Sequence, residues 1–226
     1  MCGRFTLAVD TEELRKSFPW LEVGGEVRAR YNIAPSQPVA VVPNDGRKRL
    51  DFFVWGLIPS WAKDPKIGYK MINARGETIH EKPTFRAAFR RRRCLILADG
   101  FYEWHKRKVE GRQVSTPMYI HLNSREPFAF AGLWETWYSP LGDELRTCTI
   151  ITTTPNEFVA GYHDRMPVIL HPEDYDEWLD PAERAPDQLR HLIRSYPAEA
   201  MAAYPVSPLV NSPQNEVPEC AVPAGG

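Results

Sequence analysis

The pattern of hydrophobic and polar positions along this chain breaks into many short strand-like runs and few helical ones. Runs bounded by turn-forming residues and rich in β-branched or aromatic side chains are PVAVVP (38–43), RLDFFVWG (49–56), RCLILADGFYEW (93–104), PMYIHL (117–122), PFAFAGLW (127–134), RTCTIITT (146–153) and PVILH (167–171). Helical spacing is confined to short segments. Thr11–Phe18 follows Asp10, with Glu13 placed to complete a capping box. Pro155–Gly161 has the same signature, with Thr154 as its expected N-cap, and the stretches 83–92, 172–179 and 186–194 are also expected to be helical. Strands outnumber helices and rarely alternate with them one for one. That argues against a doubly wound sheet. It predicts an α+β fold, a single compact domain over 1–226 with a strongly curved, mainly antiparallel, barrel-like β-sheet and peripheral helices. From about 205 to 226 the chain is Pro-rich and weakly patterned, and is expected to lie over the surface as extended chain.

Composition narrows the class without naming it. At 226 residues, 43% hydrophobic and 25% charged, the chain can bury a sizeable core. No apolar run is long enough to span a bilayer and no secretory signal opens the chain, so a cytoplasmic location is expected. The formal net charge is −1, so nucleic-acid binding would need a local basic patch. Four cysteines, at 2, 94, 148 and 220, form no C-x-x-C pair and have no histidine at zinc-finger spacing. Cys94 and Cys148 sit in strand-like runs and read as small buried hydrophobes. Nothing indicates oligomerisation, and a monomer is the default.

Four segments carry reactive groups: MCGRF (1–5), MINARGET (71–78), ADGFYEW (98–104) and GYHDRMP (161–167). Cysteine is small enough for Met1 to be removed before it. Cys2 would then carry an α-amine and a thiol on adjacent carbons. Glu103 is flanked by Phe101, Tyr102 and Trp104; surroundings of that kind desolvate a carboxyl and raise its pKa. It could equally be a solvated edge residue or half of an ion pair. His163 is either a proton-transfer group or an exposed loop histidine, and Asn73 either a functional amide or a turn residue. Arg4, Arg75 and Arg165 each follow a candidate by two positions, which in extended chain is the same face; three such guanidinium groups suit a polyanion. Trp61, in the loop-like WGLIPSWAKD (55–64), is suited to stacking on a base, whereas Trp55 reads equally well as core. The run Arg90–Arg93, one turn after Arg86, reads as a solvated helix face rather than a binding patch.

Taken together, MCGRF, RYNIAP (30–35), WGLIPSWAKD, INARGET, RRCLILADGFYEW (92–104), HDRMP (163–167) and YPVSPLVN (204–211) resemble, in order and over essentially the whole chain, the SRAP family of SOS-response-associated peptidase domains. The resemblance implies an abasic-site sensor for single-stranded DNA. It implies Cys2 as the reactive residue, Asn73 positioning it, Glu103 and His163 handling protons, and Arg4, Asn32, Trp61, Arg75 and Arg165 on the DNA. A peptidase-like removal of its own Met1 belongs to the same picture. The chemistry fits an N-terminal cysteine: its amine condenses with the open aldehyde of an abasic sugar, and its thiol closes a thiazolidine. No metal or other cofactor is required. An α-amine with a pKa near 7.7–8.0 is roughly a tenth or more neutral at pH 7, far more than lysine. A cysteine-dependent peptidase or amidohydrolase and a non-covalent single-stranded DNA binder are the competing functions.

Overall fold

The computed structural model describes residues 2–225. Met1, whose removal the sequence predicts, lies outside them. In chain order the elements are β1 (Phe5–Leu7), α1 (Thr11–Ser17), β2 (Arg30–Ile33), β3 (Pro38–Pro43), β4 (Asp51–Trp55), β5 (Asn73–Arg75), α2 (Arg86–Arg91), β6 (Arg93–Ala98) and β7 (Gly100–Val109). They continue with β8 (Arg112–Leu122), β9 (Phe128–Tyr138), β10 (Glu144–Thr153), β11 (Met166–Pro167), β12 (Ile169–Leu170), α3 (Tyr175–Trp178), α4 (Pro186–Leu189) and β13 (Met201–Pro205).

Five strands close on themselves. β10 pairs with β4, β4 with β3, β3 with β6, β6 with β9, and β9 returns to β10 from Tyr138↔Glu144 to Gly132↔Ile150. The barrel is antiparallel except for β4–β10, and β5 adds a second parallel pairing farther along β10, at Asn73↔Ile150 and Arg75↔Thr152. A second, wholly antiparallel sheet runs β13-β8-β7-β1-β2. This is the expected α+β domain, with a mixed barrel at its centre. Closure explains why β9 lacks alternation: Phe128 to Leu133 are all buried, because one face fills the barrel and the other is covered.

The run 93–104 is two strands, and Asp99 is where they part. Its carboxylate accepts from the Thr6 hydroxyl and from the Ala8 amide at 2.9 Å, tying the break to β1. Gly100 follows because a Cβ there would overlap the ring of Tyr119. β6 therefore stays in the barrel while β7 crosses to the second sheet, where Phe5 pairs with both Phe101 and Ile33. The Phe5 ring sits 5.1 Å from Trp55 and 5.7 Å from Phe130, so the N-terminus is held down by the core itself.

Helices are short and peripheral. α1 has the predicted capping box: Asp10 accepts from the amides of Glu12 and Glu13, and Glu13 returns a bond to the Asp10 amide. The helix expected over 155–161 is only a 3-10 turn at Val159–Gly161. The turn is held by Asn156, whose side chain accepts from the Val159 amide at 2.8 Å, rather than by Thr154. Cys94 and Cys148 are fully buried, as expected. The segment from 205 onward is more than extended chain. It makes 3-10 turns at Pro208–Asn211 and Pro218–Cys220, and buries Val206, Val210 and Cys220 against Tyr102 and Tyr119. No helix among the described residues is long and apolar enough to cross a membrane.

Candidate functional site

Cys2 lies just ahead of β1 with no exposed surface. Burial pushes its thiol well up from the usual range, and the nearby Glu103 carboxyl adds to the rise. Its carbonyl is gripped by Asn73, whose Nδ2 donates at 2.9 Å. Asn73 can reach it because β5 is pinned alongside β10, which fixes the direction of a three-residue strand that would otherwise be unstable alone. The other end of the amide, Oδ1, is buried and has no hydrogen-bond partner among the described residues.

Glu103 stands on β7 opposite Met118, 3% exposed. Burial pushes its carboxyl up to about 7, with a smaller push from the Asp164 carboxylate. His163 follows the turn at 159–161. Its Nδ1 accepts from the Arg165 amide at 2.9 Å, which leaves Nε2 protonated in the neutral ring. The Asp164 carboxylate lies 2.8 Å from the same Nδ1 and pairs with it only when that nitrogen carries a proton. One protonation state serves Arg165 and the other Asp164. Burial holds the ring below the ordinary histidine range, which favours the first. His163 borders a cleft of about 320 Å³ shared with Trp104, His105, Lys106, Tyr162 and Asp164. A larger cleft of about 530 Å³, beside Pro43, Lys48 and Asp180, contains none of the candidate residues.

The proposed DNA contacts are placed unevenly. Trp61 is 62% exposed, while Trp55 is core, its indole donating to the Ile72 carbonyl at 2.8 Å. Arg75 is exposed. Arg165 makes a two-pronged pair with Glu77, at 2.7 and 2.8 Å, and also donates to the Thr152 carbonyl at 2.7 Å. Arg4 is half-buried and donates from Nη1 to Asn32 Oδ1 and to the Val210 carbonyl, both at 2.6 Å. Asn32 has no exposed surface, and its Nδ2 donates to the carbonyls of Ser212 and Asn215 at 2.9 and 2.7 Å. Its place is behind Arg4 rather than on an open face. The same-face spacing holds in extended strand only for Asn73 and Arg75; Cys2 and His163 lie outside strands.

Arg75 and Arg165 both act on Glu77, whereas Arg4 faces the C-terminal segment. The run of arginines is largely paired: Arg90 and Arg91 share the Glu183 carboxylate, and Arg92 pairs with Glu135. Arg93 is fully buried among backbone carbonyls, including those of Arg90 and Asp180 at 2.6 Å. Sequence reasoning passed over Glu77 and Asp164. Glu77 repeats the two-residue spacing from Arg75, and Asp164 adjoins His163, so both signals were present. Among the described residues, no group of three or more His, Cys, Asp or Glu is placed to hold a metal ion.

A mixed barrel beside a second sheet, with a buried cysteine ahead of that sheet held by an asparagine and close to a buried carboxyl, defines the class. The family model for SOS response associated peptidase (SRAP) matches residues 1–213, and the chain belongs to that family. Among particular proteins, it is 52% identical to the abasic site processing protein YoqW of Bacillus subtilis (strain 168), over 97% of this chain and 98% of that one. It is 35% identical to the abasic site processing protein HMCES of Gallus gallus, over 99% of this chain and 78% of that one. A crystal structure of a protein from Bacteroides thetaiotaomicron superposes with a TM-score of 0.85 at 25% identity, covering 99% of this chain and all of that one.

Proposed function

We propose that this protein processes abasic sites in single-stranded DNA by linking them covalently to Cys2 once Met1 has been hydrolysed away. The observation that carries the reading is the grip of Asn73 on the Cys2 carbonyl beside the buried Glu103 carboxyl. It fixes the first residue of the processed chain against a proton-transfer group. The relatives named for abasic site processing support the substrate.

Removal of Met1 adds water across one peptide bond and frees the Cys2 amine. The abasic sugar opens to its aldehyde when Glu103 donates a proton to the ring oxygen and His163 takes one from the hydroxyl at Nδ1, where the bond from the Arg165 amide gives way to the pair with Asp164. The amine adds to the aldehyde and one water leaves, giving an imine. The thiol then adds across the C=N bond, its proton passing to nitrogen, and the thiazolidine ring closes with no further loss. Asn73 Oδ1, buried and without a hydrogen-bond partner among the described residues, is the acceptor available to orient the amine. Arg75 and Arg165 bind phosphate, Trp61 stacks on a base, and Arg4, backed by Asn32, supports the strand near Cys2. The protein acts in the cytoplasm as a monomer.

The test is the intact mass of the protein after incubation with an oligonucleotide bearing one abasic site, denatured without a reducing agent. The expected product is the Met1-less chain plus the oligonucleotide minus one water. Salt-sensitive binding without an adduct would make it a non-covalent binder, and hydrolysis of unrelated peptides would make it a peptidase. An equal yield from a variant with an uncleavable N-terminal extension would overturn the amine chemistry.

A further inference from the structure

The family model ends at residue 213, yet the chain beyond it reaches back to the candidate site. Glu216 is the anchor. Its Oε2 accepts from Arg30 Nε at 2.8 Å, and its Oε1 accepts from the amides of Tyr31 and Asn32, the latter at 2.9 Å. One carboxylate thus fixes the exposed edge of β2 and the loop that carries it. That loop is sewn to the same strand a second time by Asn32, through the carbonyls of Ser212 and Asn215.

These contacts converge on two side chains beside the reactive pair. Arg4, two residues after Cys2, is held by Asn32 on one side and the Val210 carbonyl on the other. Trp104, next to Glu103, donates its indole N–H to Asn211 Oδ1 at 2.7 Å. Arg4 lies 6.0 Å from the Trp104 ring. The Arg4 guanidinium is half-buried, and desolvation lowers its pKa while Tyr102, Cys220 and Glu216 oppose the fall. Without the loop, Arg4 would lose an acceptor and the Trp104 indole N–H its bond to Asn211.

We propose that the segment 207–216 is a structural clamp for the DNA-binding face, and that Glu216 is the positioning residue that closes it by fixing Arg4 through Asn32 and Val210. This rests on the reading of Arg4 as a DNA-side cation given above. Glu216 touches no substrate. It acts by keeping Arg4 and Trp104 in one arrangement before DNA arrives, which lowers the ordering cost of binding.

The experiment compares Glu216→Ala, Glu216→Gln and Cys220→Ala in the full chain. Cys220 is buried just beyond the segment; its thiol, kept uncharged by burial, donates to the Asn215 carbonyl at 3.4 Å rather than to Arg4 or Trp104, so its truncation reports loosening of the tail. Cross-linking rates are measured against abasic oligonucleotide concentration, with thermal stability followed alongside. Glu216→Ala should raise the half-saturating concentration about tenfold, the scale of one charge-assisted hydrogen bond, and leave the saturating rate within about twofold. The salt slope of binding should fall by roughly 0.7, one single-strand phosphate contact. Glu216→Gln keeps an oxygen for the two amides and should fall between Ala and the parent. Cys220→Ala should lower thermal stability without moving slope or half-saturation. If Glu216→Ala and Cys220→Ala behave alike, or if Glu216→Ala changes only stability, the clamp is refuted. A parent protein that forms no adduct at all overturns the proposed function instead, and is seen before any variant is made.

Discussion

Glu103 is costly to keep where it is. Its carboxyl titrates near 7 against an ordinary 4.5, because burial disfavours the charged form. The folded state therefore holds that proton more tightly than the unfolded chain. Stability from this group is full below the unfolded value, is lost as pH rises from about 4.5 to 7, and stays lost above. The loss at pH 8 is on the order of 3 kcal/mol. Glu103→Gln should recover much of it, so the variant should unfold at higher denaturant concentration than the parent at pH 8 and near the same concentration at pH 4. The same substitution should slow adduct formation by roughly 10²–10⁴, the usual contribution of a placed acid–base group. It should also slow release of a preformed adduct, since the group serves both directions. The parent rate should decline as pH passes 7 from below, where the donor form disappears. A variant that is faster, or no more stable at pH 8, would remove Glu103 from the proton path.

At the scale of elements, the junction between β6 and β7 makes the clearest test. Gly100 sits where the chain leaves the barrel, and any Cβ meets the Tyr119 ring. Gly100→Ala should destabilise the protein by about 1–3 kcal/mol, the range for overpacking, measured by urea unfolding. A neutral result would mean that the two sheets slide more freely than the packing suggests. This junction also marks the limit of what the sequence shows. Local chemistry was legible: the Asp10–Glu13 box and the strand at Pro38–Pro43 are set by neighbouring residues, whereas local sequence left Asn73, Glu103 and His163 open and only the family resemblance joined them to Cys2. Non-local chemistry was not. The run 93–104 reads as one strand because Asp99 is tied by Thr6 and Ala8, over ninety positions earlier in the chain, which no window can see. Thr154 reads as a good cap, but the turn forms later, at Val159–Gly161, with Asn156 bonding the Val159 amide. Asn32 is a DNA contact only by the family resemblance, and the partners its side chain takes, at 212 and 215, lie far along the chain.

For the molecule as a whole, the net charge of −1 means that attraction to DNA must come from how charge is distributed. The richest run of arginine contributes little, since Arg90 and Arg91 share Glu183 and Arg92 is matched by Glu135. Arg90→Ala should therefore leave the salt dependence of single-stranded DNA binding unchanged. Arg75 is exposed, and its loss should lower the slope by roughly 0.7. Glu77 is the deciding position. Its carboxylate holds both Nη groups of Arg165, the geometry a phosphate would take, and it also feels Arg75. Phosphate must displace it before Arg165 can bind DNA. Glu77→Gln removes the competing charge while keeping the side-chain shape, so binding should tighten several-fold at low salt and the slope should steepen by up to about 0.7. Because ion pairing holds the Glu77 carboxyl below its ordinary range, the parent should show the same tightening when acid neutralises that group, and the variant should not. Weaker binding by Glu77→Gln would show instead that the carboxylate orients Arg165 for DNA rather than competing with it.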